Sequence, residues 1–360
     1  MKVTTVGIDL AKDIFRVHGC DARGRTVVGK SLTRQALRMF MAKLPPCLVG
    51  MEACHTAHYW AHELQAFGHQ VKLMAPRFIR PYVKNNKNDT RDAEAICEAV
   101  TRPTMRFVPI KSRAQLDVQA VHRVRQQVVR ERAALANQLR AFLAEHGVVI
   151  RKGFAAVRRA LPEIIDDGDN RLSGLMRELL RDLYERFKLA EQRLGRYDEL
   201  VTKVVSQDER CQRLAQLPGV GPLTATAVVA SVGNAREFRS GRELAAFFGL
   251  VPRHRASGSR TVMLPIAKRC DHYLRTLMVQ GARSSLRYIE RRQDPRGVWA
   301  NRLRLKRGSY IAAVAIANKN ARVMWALLTR GESYRAEPAR RSPSALRVKI
   351  DHPQKKPRRA

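Results

Sequence analysis

Four acidic residues stand where short apolar segments of this chain end or where a polar segment begins. Asp9 follows the run Val-Thr-Thr-Val-Gly-Ile, and Glu52 follows Cys-Leu-Val-Gly-Met. Asp89 and Asp92 stand three residues apart in a later polar segment. Carboxylate oxygens are the ligands that hard divalent cations prefer, and such cations can hold the attacking and leaving oxygens of a phosphodiester together. The four acids therefore predict metal-dependent chemistry on nucleic acid.

The charge of the chain indicates a polyanionic partner. The 360 residues include 68 Lys and Arg against 32 Asp and Glu, a formal net charge of +36. Such an excess predicts binding to DNA, RNA or both, and binding that weakens steeply with salt. An acidic membrane surface fits less well, because no apolar stretch approaches the roughly 20 residues that span a bilayer. We expect a cytoplasmic bacterial protein that associates with the nucleoid when it is bound to DNA.

A second group of metal-ligating residue types follows Glu52. It comprises Cys54, His55, His58 and His62, and the three histidines would share one face of a helix. Structural zinc sites usually draw ligands from two separate segments, and no second segment is evident. The simpler interpretation is a partly exposed helix beside the strand that carries Glu52. The six cysteines of the chain contain no Cys-x-x-Cys pair and are predicted to be reduced thiols.

The predicted elements of the first 110 residues come in a characteristic order. Residues 3–30 alternate apolar and polar residues around turn signals, which predicts three short antiparallel strands. A helix near 33–43, a strand at 47–52, a helix near 56–67 and a strand at 70–75 follow. This order resembles the RNase H-like fold, in which the first strand, the fourth strand and a later helix supply acids. Asp9, Glu52 and the pair Asp89 and Asp92 occupy those places.

Two long helices are predicted in the middle of the chain. The first covers about 113–146 and carries an apolar stripe. The second covers 176–204, and its apolar residues recur at alternating spacings of four and three, as in a coiled-coil seam. The seam residues are Met176, Leu180, Leu183, Phe187, Ala190, Leu194, Tyr197, Val201 and Val204. A helical hairpin within the chain and a dimerisation arm both fit this pattern, and the sequence does not decide between them.

Residues 212–233 resemble a helix-hairpin-helix. Pro218, Gly219 and Gly221 would form the tight turn, and the backbone amides that open the next helix could bind a phosphate. Such a hairpin grips the nucleic-acid backbone without reading its sequence. The alternative is a helix-turn-helix whose only role is packing.

The four acids, the heptad helix and the helix-hairpin-helix follow one another along the chain. A fourth feature comes after them, the segment Phe-Phe-Gly-Leu-Val-Pro-Arg-His-Arg-Ala-Ser-Gly-Ser-Arg at 247–260. Over residues 3–330 they resemble the DEDD transposases of the Piv and IS-one-ten insertion-sequence family, most closely its IS-eleven-eleven branch. The resemblance implies a RuvC-like domain whose four acids bind Mg²⁺ or Mn²⁺. It also implies a C-terminal transposase domain that supplies a serine to attack DNA.

The position that matches the Ser-Gly pair of this family is Ser257, followed by Gly258, and Ser259 is a competitor. Without the family context, a loop serine before a turn is the simpler interpretation. Neighbouring cations could stabilise a phosphorane-like transition state. They are Arg253, His254, Arg255 and Arg260. A serine hydroxyl needs a base or a metal to activate it, which suggests that the two domains contribute to one composite site.

The resemblance further implies a covalent phosphoserine intermediate and a noncoding bridge RNA that pairs with donor and target DNA. Element ends and target DNA would be the substrates, and the protein would act as a homo-oligomer, a dimer or a tetramer. Residues around Lys268 match the Lys-x-Gly-x-x-x-Leu-Arg region of the family, and Lys268 is predicted to contact nucleic acid. Two positions depart from the family, Cys270 and His55, where glycine is usual in both cases.

The sequence thus predicts an α/β RNase H-like (RuvC-like) domain at 1–110, a helical or coiled-coil region at 111–208, and a mainly α transposase domain at 209–332. A basic, disordered tail is predicted at 333–360. The predicted function is that of an insertion-sequence transposase that cleaves and exchanges DNA strands. A RuvC-type junction-resolving nuclease that uses metal-activated water, and a non-enzymatic nucleic-acid scaffold, are the alternatives.

Overall fold

The computed structural model describes residues 2–83, 89–258, 260–266 and 270–335 and, at 89 and 90, the backbone alone. The chain divides into two compact units. The first comprises Met1–Val204 and Thr226–Glu237, and the second comprises Val205–Ala225 and Phe238–Ala360. No helix in the described part of the chain is long and apolar enough to cross a membrane.

A six-stranded mixed sheet forms the core of the first unit. Its strands are β1 (Thr5–Asp9), β2 (Ile14–Cys20), β3 (Thr26–Thr33), β4 (Leu48–Glu52), β5 (Gln70–Met74) and β6 (Phe107–Val108). They lie in the order β3-β2-β1-β4-β5-β6. Strand β1 pairs antiparallel with β2 and parallel with β4, and β5 continues the parallel part. The three N-terminal antiparallel strands and the two later strands predicted from the sequence are confirmed, and the arrangement is consistent with an RNase H-like domain.

Four helices flank this sheet: α1 (Arg34–Lys43), α2 (Ala57–Ala66), α3 (Pro76–Ile79) and α4 (Asp89–Val100). Val6 and Ile8 of β1 and Met51 of β4 are buried in one cluster with residues of α1 and α2. Helix α4 packs with Leu48 in a separate cluster, so it covers the opposite face. Because strand side chains alternate between faces, residues 7 and 9 and residues 48, 50 and 52 belong to the α4 face.

Three helices complete most of the first unit: α5 (Arg113–Glu145), α6 (Phe154–Asp166) and α7 (Gly174–Gln207). The Ser112 side chain accepts a hydrogen bond from the Gln115 amide and the Gln115 side chain accepts one from the Ser112 amide, a capping box that fixes the start of α5. The predicted seam of α7 packs within the chain. Leu180, Leu183 and Phe187 are buried against α5 and α6, and Ala190 and Leu194 against Val128 of α5. The helical hairpin is therefore the interpretation that the structure supports.

The remaining helices are α8 (Glu209–Ala215), α9 (Pro222–Val232), α10 (Gly241–Phe247), α11 (His272–Leu286), α12 (Pro295–Arg307) and α13 (Ser309–Arg330). Strands β7 (Pro252–Ser257) and β8 (Arg260–Ile266) form a two-stranded antiparallel hairpin. Helix α13 is the central element of the second unit and packs against α10, α11 and α12. Its Asn320 is fully buried and donates a hydrogen bond of 3.1 Å to the Pro218 carbonyl, which ties the turn after α8 to α13.

Candidate active site and nucleic-acid surfaces

Asp9 and Glu52 occupy the ends of two neighbouring parallel strands. Asp9 is the last residue of β1, Glu52 is the last residue of β4, and the preceding residues Ile8 and Met51 are register partners. Both carboxylates belong to the α4 face and are half-buried. The sheet thus brings together two acids that are 43 positions apart in the sequence.

Two glycines allow α4 to lie directly on this face of the sheet. A Cβ at Gly7 would lie 2.3 Å from the Ala93 carbonyl oxygen, and a Cβ at Gly50 would lie 2.8 Å from the Val100 Cβ. Each glycine stands two residues before one of the acids, on the same face. Only glycine permits this approach of helix to sheet. The sequence signal for this contact is a glycine two positions before an acid in each apolar run.

The direction of α4 places its acidic first turn at the same end of the sheet. Ala93 lies over Gly7, and the Cys97 thiol lies 3.7 Å from the Thr5 carbonyl oxygen, so α4 runs antiparallel to β1. The N-terminal turn of α4 is therefore directed toward the end of β1 that carries Asp9. Asp92 lies in that turn and is half-buried. The side chain of Asp89 lies outside the described residues.

The pKa of the Cys54 thiol responds to the negative charge of this site. Burial, followed by the nearby Glu52 and Asp9 carboxylates, raises the pKa of its thiol to about 11. Both carboxylates are thus within electrostatic reach of one sulfur atom. A thiol with this pKa is protonated at neutral pH, so Cys54 is a neutral neighbour of the acids.

The donor set is chemically suited to a divalent cation such as Mg²⁺. Asp9, Glu52 and Asp92 offer carboxylate oxygens, and phosphate oxygens of a substrate usually complete the shell of such an ion. Among the described side chains, however, no three acids, histidines or cysteines lie close enough together to form a metal site by themselves.

The histidines of α2 bind backbone instead. The His58 Nδ1 atom accepts a hydrogen bond of 3.3 Å from the Lys111 amide, and the His62 Nε2 atom lies 2.8 Å from the Lys111 carbonyl oxygen. Burial, with Lys111 second, lowers the pKa of His58 to about 4. The two rings hold the segment before α5 against α2, which agrees with the simpler of the two interpretations given to this cluster.

Thr56, just beyond Glu52, has a strained backbone. Its φ of 71° makes it the one non-glycine residue with a positive φ in the described part of the chain. A β-branched side chain in this region is a genuine outlier, and such strain concentrates near functional sites. The Thr56 hydroxyl is also buried without a hydrogen-bond partner. The sequence offered no signal for this feature.

Ser257 is the last residue of β7, in a ribbon that is exposed along its whole first strand. Gly258 follows with a φ of 56°, a conformation that favours glycine in a tight hairpin turn. Ser257 pairs with Arg260 across the ribbon, and Arg255 lies two residues before it. Directly opposed residues and alternate residues share a face. Arg255 and Arg260 therefore accompany Ser257, whereas His254 belongs to the other face.

The other predicted contacts with nucleic acid are distributed as follows. Arg253 is exposed and stands at an irregularity in the β7 register. Gly219 has a φ of 83° in the turn between α8 and α9, and Gly221 is exposed just before α9. Lys268 and Ser259 lie outside the described residues. The acids lie in the first unit, and Ser257 lies in the second.

Comparisons with known proteins identify the family of this chain. A transposase model of the DEDD IS110 type matches residues 6–147, and a model described as "Transposase IS116/IS110/IS902 family" matches residues 211–295. A probable family 20 transposase of Pseudomonas aeruginosa is 47% identical over 93% of this chain and 99% of its own length. The chain belongs to the IS116/IS110/IS902 transposase family. The resemblance inferred from the sequence motifs is thereby confirmed.

Two further transposases are similar over nearly the whole chain. The transposase of insertion sequence element IS1111A from Coxiella burnetii is 40% identical over 92% of this chain and 92% of its own length. The transposase of IS1328 from Yersinia enterocolitica is 38% identical over 91% of this chain and 98% of its own length. Membership of the family makes this chain an insertion-sequence transposase, a class of protein that binds DNA and cuts and joins its strands. A DEDD domain also suggests a requirement for a divalent metal.

Proposed function

We propose that Asp9, Glu52, Asp89 and Asp92 are the metal ligands of this transposase and that Ser257 is its nucleophile. The observation that carries the first half is the meeting of Asp9 and Glu52 at adjacent strand ends, with the acidic turn of α4 directed toward them. A bound Mg²⁺ or Mn²⁺ would neutralise charge on the scissile phosphate. The carboxylates would fix its position through the rigid contact of α4 with β1 and β4.

In the second half, the Ser257 hydroxyl attacks the phosphorus atom of the scissile phosphodiester, and a 3′ or 5′ oxygen of the DNA leaves with a proton. Arg255 and Arg260 accompany the serine on one face of the ribbon and would stabilise the charge of the transition state. His254, on the other face, is not assigned this role. The product would be a covalent phosphoserine link between protein and DNA.

The regions predicted from the sequence agree with this proposal, in which the N-terminal region binds the metal and the C-terminal region supplies the nucleophile. We propose that 1–110 is the RuvC-like metal-binding domain, that 111–208 is a helical region, and that 209–332 is the transposase domain. Within the last, residues around Gly219 and Gly221 would act as a helix-hairpin-helix on the DNA backbone. Arg253 and Lys268 would add phosphate contacts. A tail at 333–360 would add positive charge.

Family resemblance alone supports the remaining parts of the proposal. They are a noncoding bridge RNA that pairs with donor and target DNA, and a homo-oligomer, a dimer or a tetramer, in the strand-exchange complex. The net charge of +36 is compatible with two nucleic-acid partners at once.

The decisive experiment is to trap the covalent adduct. The full-length protein is incubated with labelled element-end DNA, the cognate RNA and Mg²⁺, and then denatured and separated by electrophoresis. We expect a labelled adduct with the wild type and none with Ser257→Ala or Asp9→Ala. The matched control is Ser206→Ala, an exposed serine of α7 outside the proposed site, which should form the adduct normally.

Each alternative function gives a different result. Metal-dependent cleavage without any adduct would indicate a RuvC-type nuclease that uses water, since hydrolysis leaves no covalent link. Binding without cleavage at any Mg²⁺ or Mn²⁺ concentration would indicate a scaffold. Adduct formation by Ser257→Ala would show that another residue is the nucleophile, and Ser259 would be the first to test.

A further inference from the structure

The second unit presents two exposed tyrosines beside arginines, well away in the chain from Ser257. Tyr288 follows α11 and is 60% exposed, and Tyr310 opens α13 and is 77% exposed. The guanidinium of Arg283 lies 5.5 Å from the centroid of the Tyr310 ring, and that of Arg291 lies 5.9 Å from the centroid of the Tyr288 ring. Rings of this size that remain so exposed contribute little to the core, so their positions call for another explanation.

Contacts within the unit join the two tyrosines into one surface. The Arg283 contact connects the end of α11 to the start of α13, and an ion pair between Arg304 of α12 and Glu290 connects α12 to the segment after Tyr288. Gly308 alone separates α12 from α13, with a φ of 84°. We call this area the tyrosine surface. It is defined by Arg283, Tyr288, Arg291, Lys306, Arg307 and Tyr310.

The charge of the tyrosine surface is strongly positive. Its four basic residues are exposed, and the acid next to it, Glu290, is already paired with Arg304. Helix α13 begins beside Tyr310 with no capping side chain and no acid in its first turn. The positive end of this helix would add to the attraction for a phosphate beside the ring. The area therefore combines flat aromatic faces with a positive field.

We propose that the tyrosine surface binds unpaired nucleotides of a nucleic-acid strand. Exposed aromatic rings bind bases by stacking, while neighbouring arginines bind the phosphates. In a duplex the base faces are already stacked on each other, so only an opened or single strand can use the two rings. Strand exchange opens DNA, and an RNA partner would offer loops, so both single-stranded DNA and single-stranded RNA have the required chemistry.

This inference deepens the proposed function and rests on it in one respect, that the chain handles opened strands. Its test needs neither metal nor cleavage. Full-length protein in EDTA is titrated into fluorescently labelled oligo-dT and oligo-U of about 15 nucleotides and into a duplex of the same length. We expect Tyr310→Leu and Tyr288→Leu each to weaken single-strand binding about ten-fold. Tyr310→Phe and Tyr288→Phe should bind like the wild type, because the ring is retained.

The controls separate stacking from charge and from misfolding. Tyr59→Leu changes a tyrosine of α2 that is 51% exposed and should have no effect. Duplex binding should be unchanged in the leucine variants, and thermal unfolding should match the wild type. Loss confined to oligo-U or to oligo-dT would assign the surface to RNA or to DNA. Unchanged single-strand binding by both leucine variants would overturn the proposal, as would an equal loss of duplex binding.

A second measurement uses the unaltered protein. Oligonucleotides that carry 5-iodouracil are irradiated in the complex, and the crosslinked peptide is identified by mass spectrometry. We expect crosslinks at Tyr288 or Tyr310. Crosslinks that occur only elsewhere in the chain would contradict the proposal even if the leucine variants failed to fold. Because none of these readouts depends on Ser257, single-strand binding and strand exchange can succeed or fail independently.

Discussion

The backbones of Gly219 and Gly281 touch. A Cβ at Gly281, in the interior of α11, would lie 2.0 Å from the Gly219 carbonyl oxygen, and a Cβ at Gly219 would lie 2.6 Å from the Gly281 carbonyl oxygen. The turn between α8 and α9 thus rests directly on α11. Together with the hydrogen bond from buried Asn320 to Pro218, this contact fixes the turn within the second unit.

Gly281→Ala should destabilise the protein although alanine favours helices. The added methyl group would overlap backbone that cannot move easily, so we expect the free energy of unfolding to fall by about 2 kcal/mol or more. The matched control is Gly195→Ala, a helix-interior glycine of α7 with nothing within 4 Å of its Cβ position. That change should raise the free energy of unfolding by about 0.5–1 kcal/mol. Urea denaturation followed by circular dichroism measures both; a loss in neither variant would contradict the contact.

Thr56→Gly should stabilise the protein. Glycine adopts a φ of 71° without strain, and the change also removes the buried hydroxyl without a partner. The greater freedom of glycine in the unfolded chain offsets part of this effect. We therefore expect a net gain of about 1 kcal/mol in the free energy of unfolding. Thr56→Ala is the control, because it removes the hydroxyl and keeps a Cβ in the strained region. If alanine stabilises as much as glycine, the strain is not the cause.

Stability should fall in weak acid. Burial, with Arg125 second, lowers the pKa of His122 to about 4, and the Nε2 atom of this ring lies 3.0 Å from the Thr226 hydroxyl. The unfolded state therefore binds a proton between pH 6.5 and 4 that the folded state does not, and the free energy of unfolding decreases as pH falls through this range. We expect a loss of about 2 kcal/mol from His122, whose ring is almost fully buried. His58 should act in the same direction.

The control for this pH dependence is His122→Gln, whose amide can bond Thr226 and does not titrate. Its free energy of unfolding, measured by urea denaturation at a series of pH values, should change less between pH 6.5 and 4 than that of the wild type. Parallel curves for the two proteins would show that His122 does not contribute.

The two faces of the β7–β8 ribbon should differ in their effect on catalysis. Arg255→Gln and Arg260→Gln remove charges from the face of Ser257, and we expect each to slow adduct formation about 100-fold. His254→Gln alters the opposite face of the same strand and should change the rate less than about three-fold, a margin typical of groups that do not contact the transition state. Single-turnover rates at saturating DNA separate this effect from binding. Equal losses in all three variants would indicate a general binding role for the ribbon.

The sequence was most informative where one face of an element is buried. The strands that end at Asp9 and Glu52 are short apolar runs because both of their faces are covered by helices, and the helix near 33–43 was predicted within one residue of its observed start. The seam of α7 was likewise identified. The helices that pack against this seam were not predicted, because a heptad pattern shows which residues are buried and does not show which element buries them.

The sequence was least informative for elements whose apolar and polar residues follow no regular period. Strands β7 and β8 were not predicted, since the ribbon is exposed along nearly its whole length and no alternation of buried and exposed residues results. Helix α6 lies within the predicted helical region 111–208 but was not predicted as a separate helix, and Pro162 inside it obscures its period. The left-handed backbone of Thr56 depends on tertiary packing and on no local preference of threonine.

The glycine pair under α4 has a consequence for how this family can vary. The gap between the strand acids and the helix acid is set by close contact of α4 with two strand positions that lack side chains: the main chain of α4 meets Gly7, and the Val100 and Ile96 side chains of α4 meet Gly50. Substitutions in the core outside these contacts can therefore change the core volume while the carboxylates keep their separation. The geometry of the proposed metal site is in this sense independent of most of the sequence around it, provided that the two positions without side chains are kept.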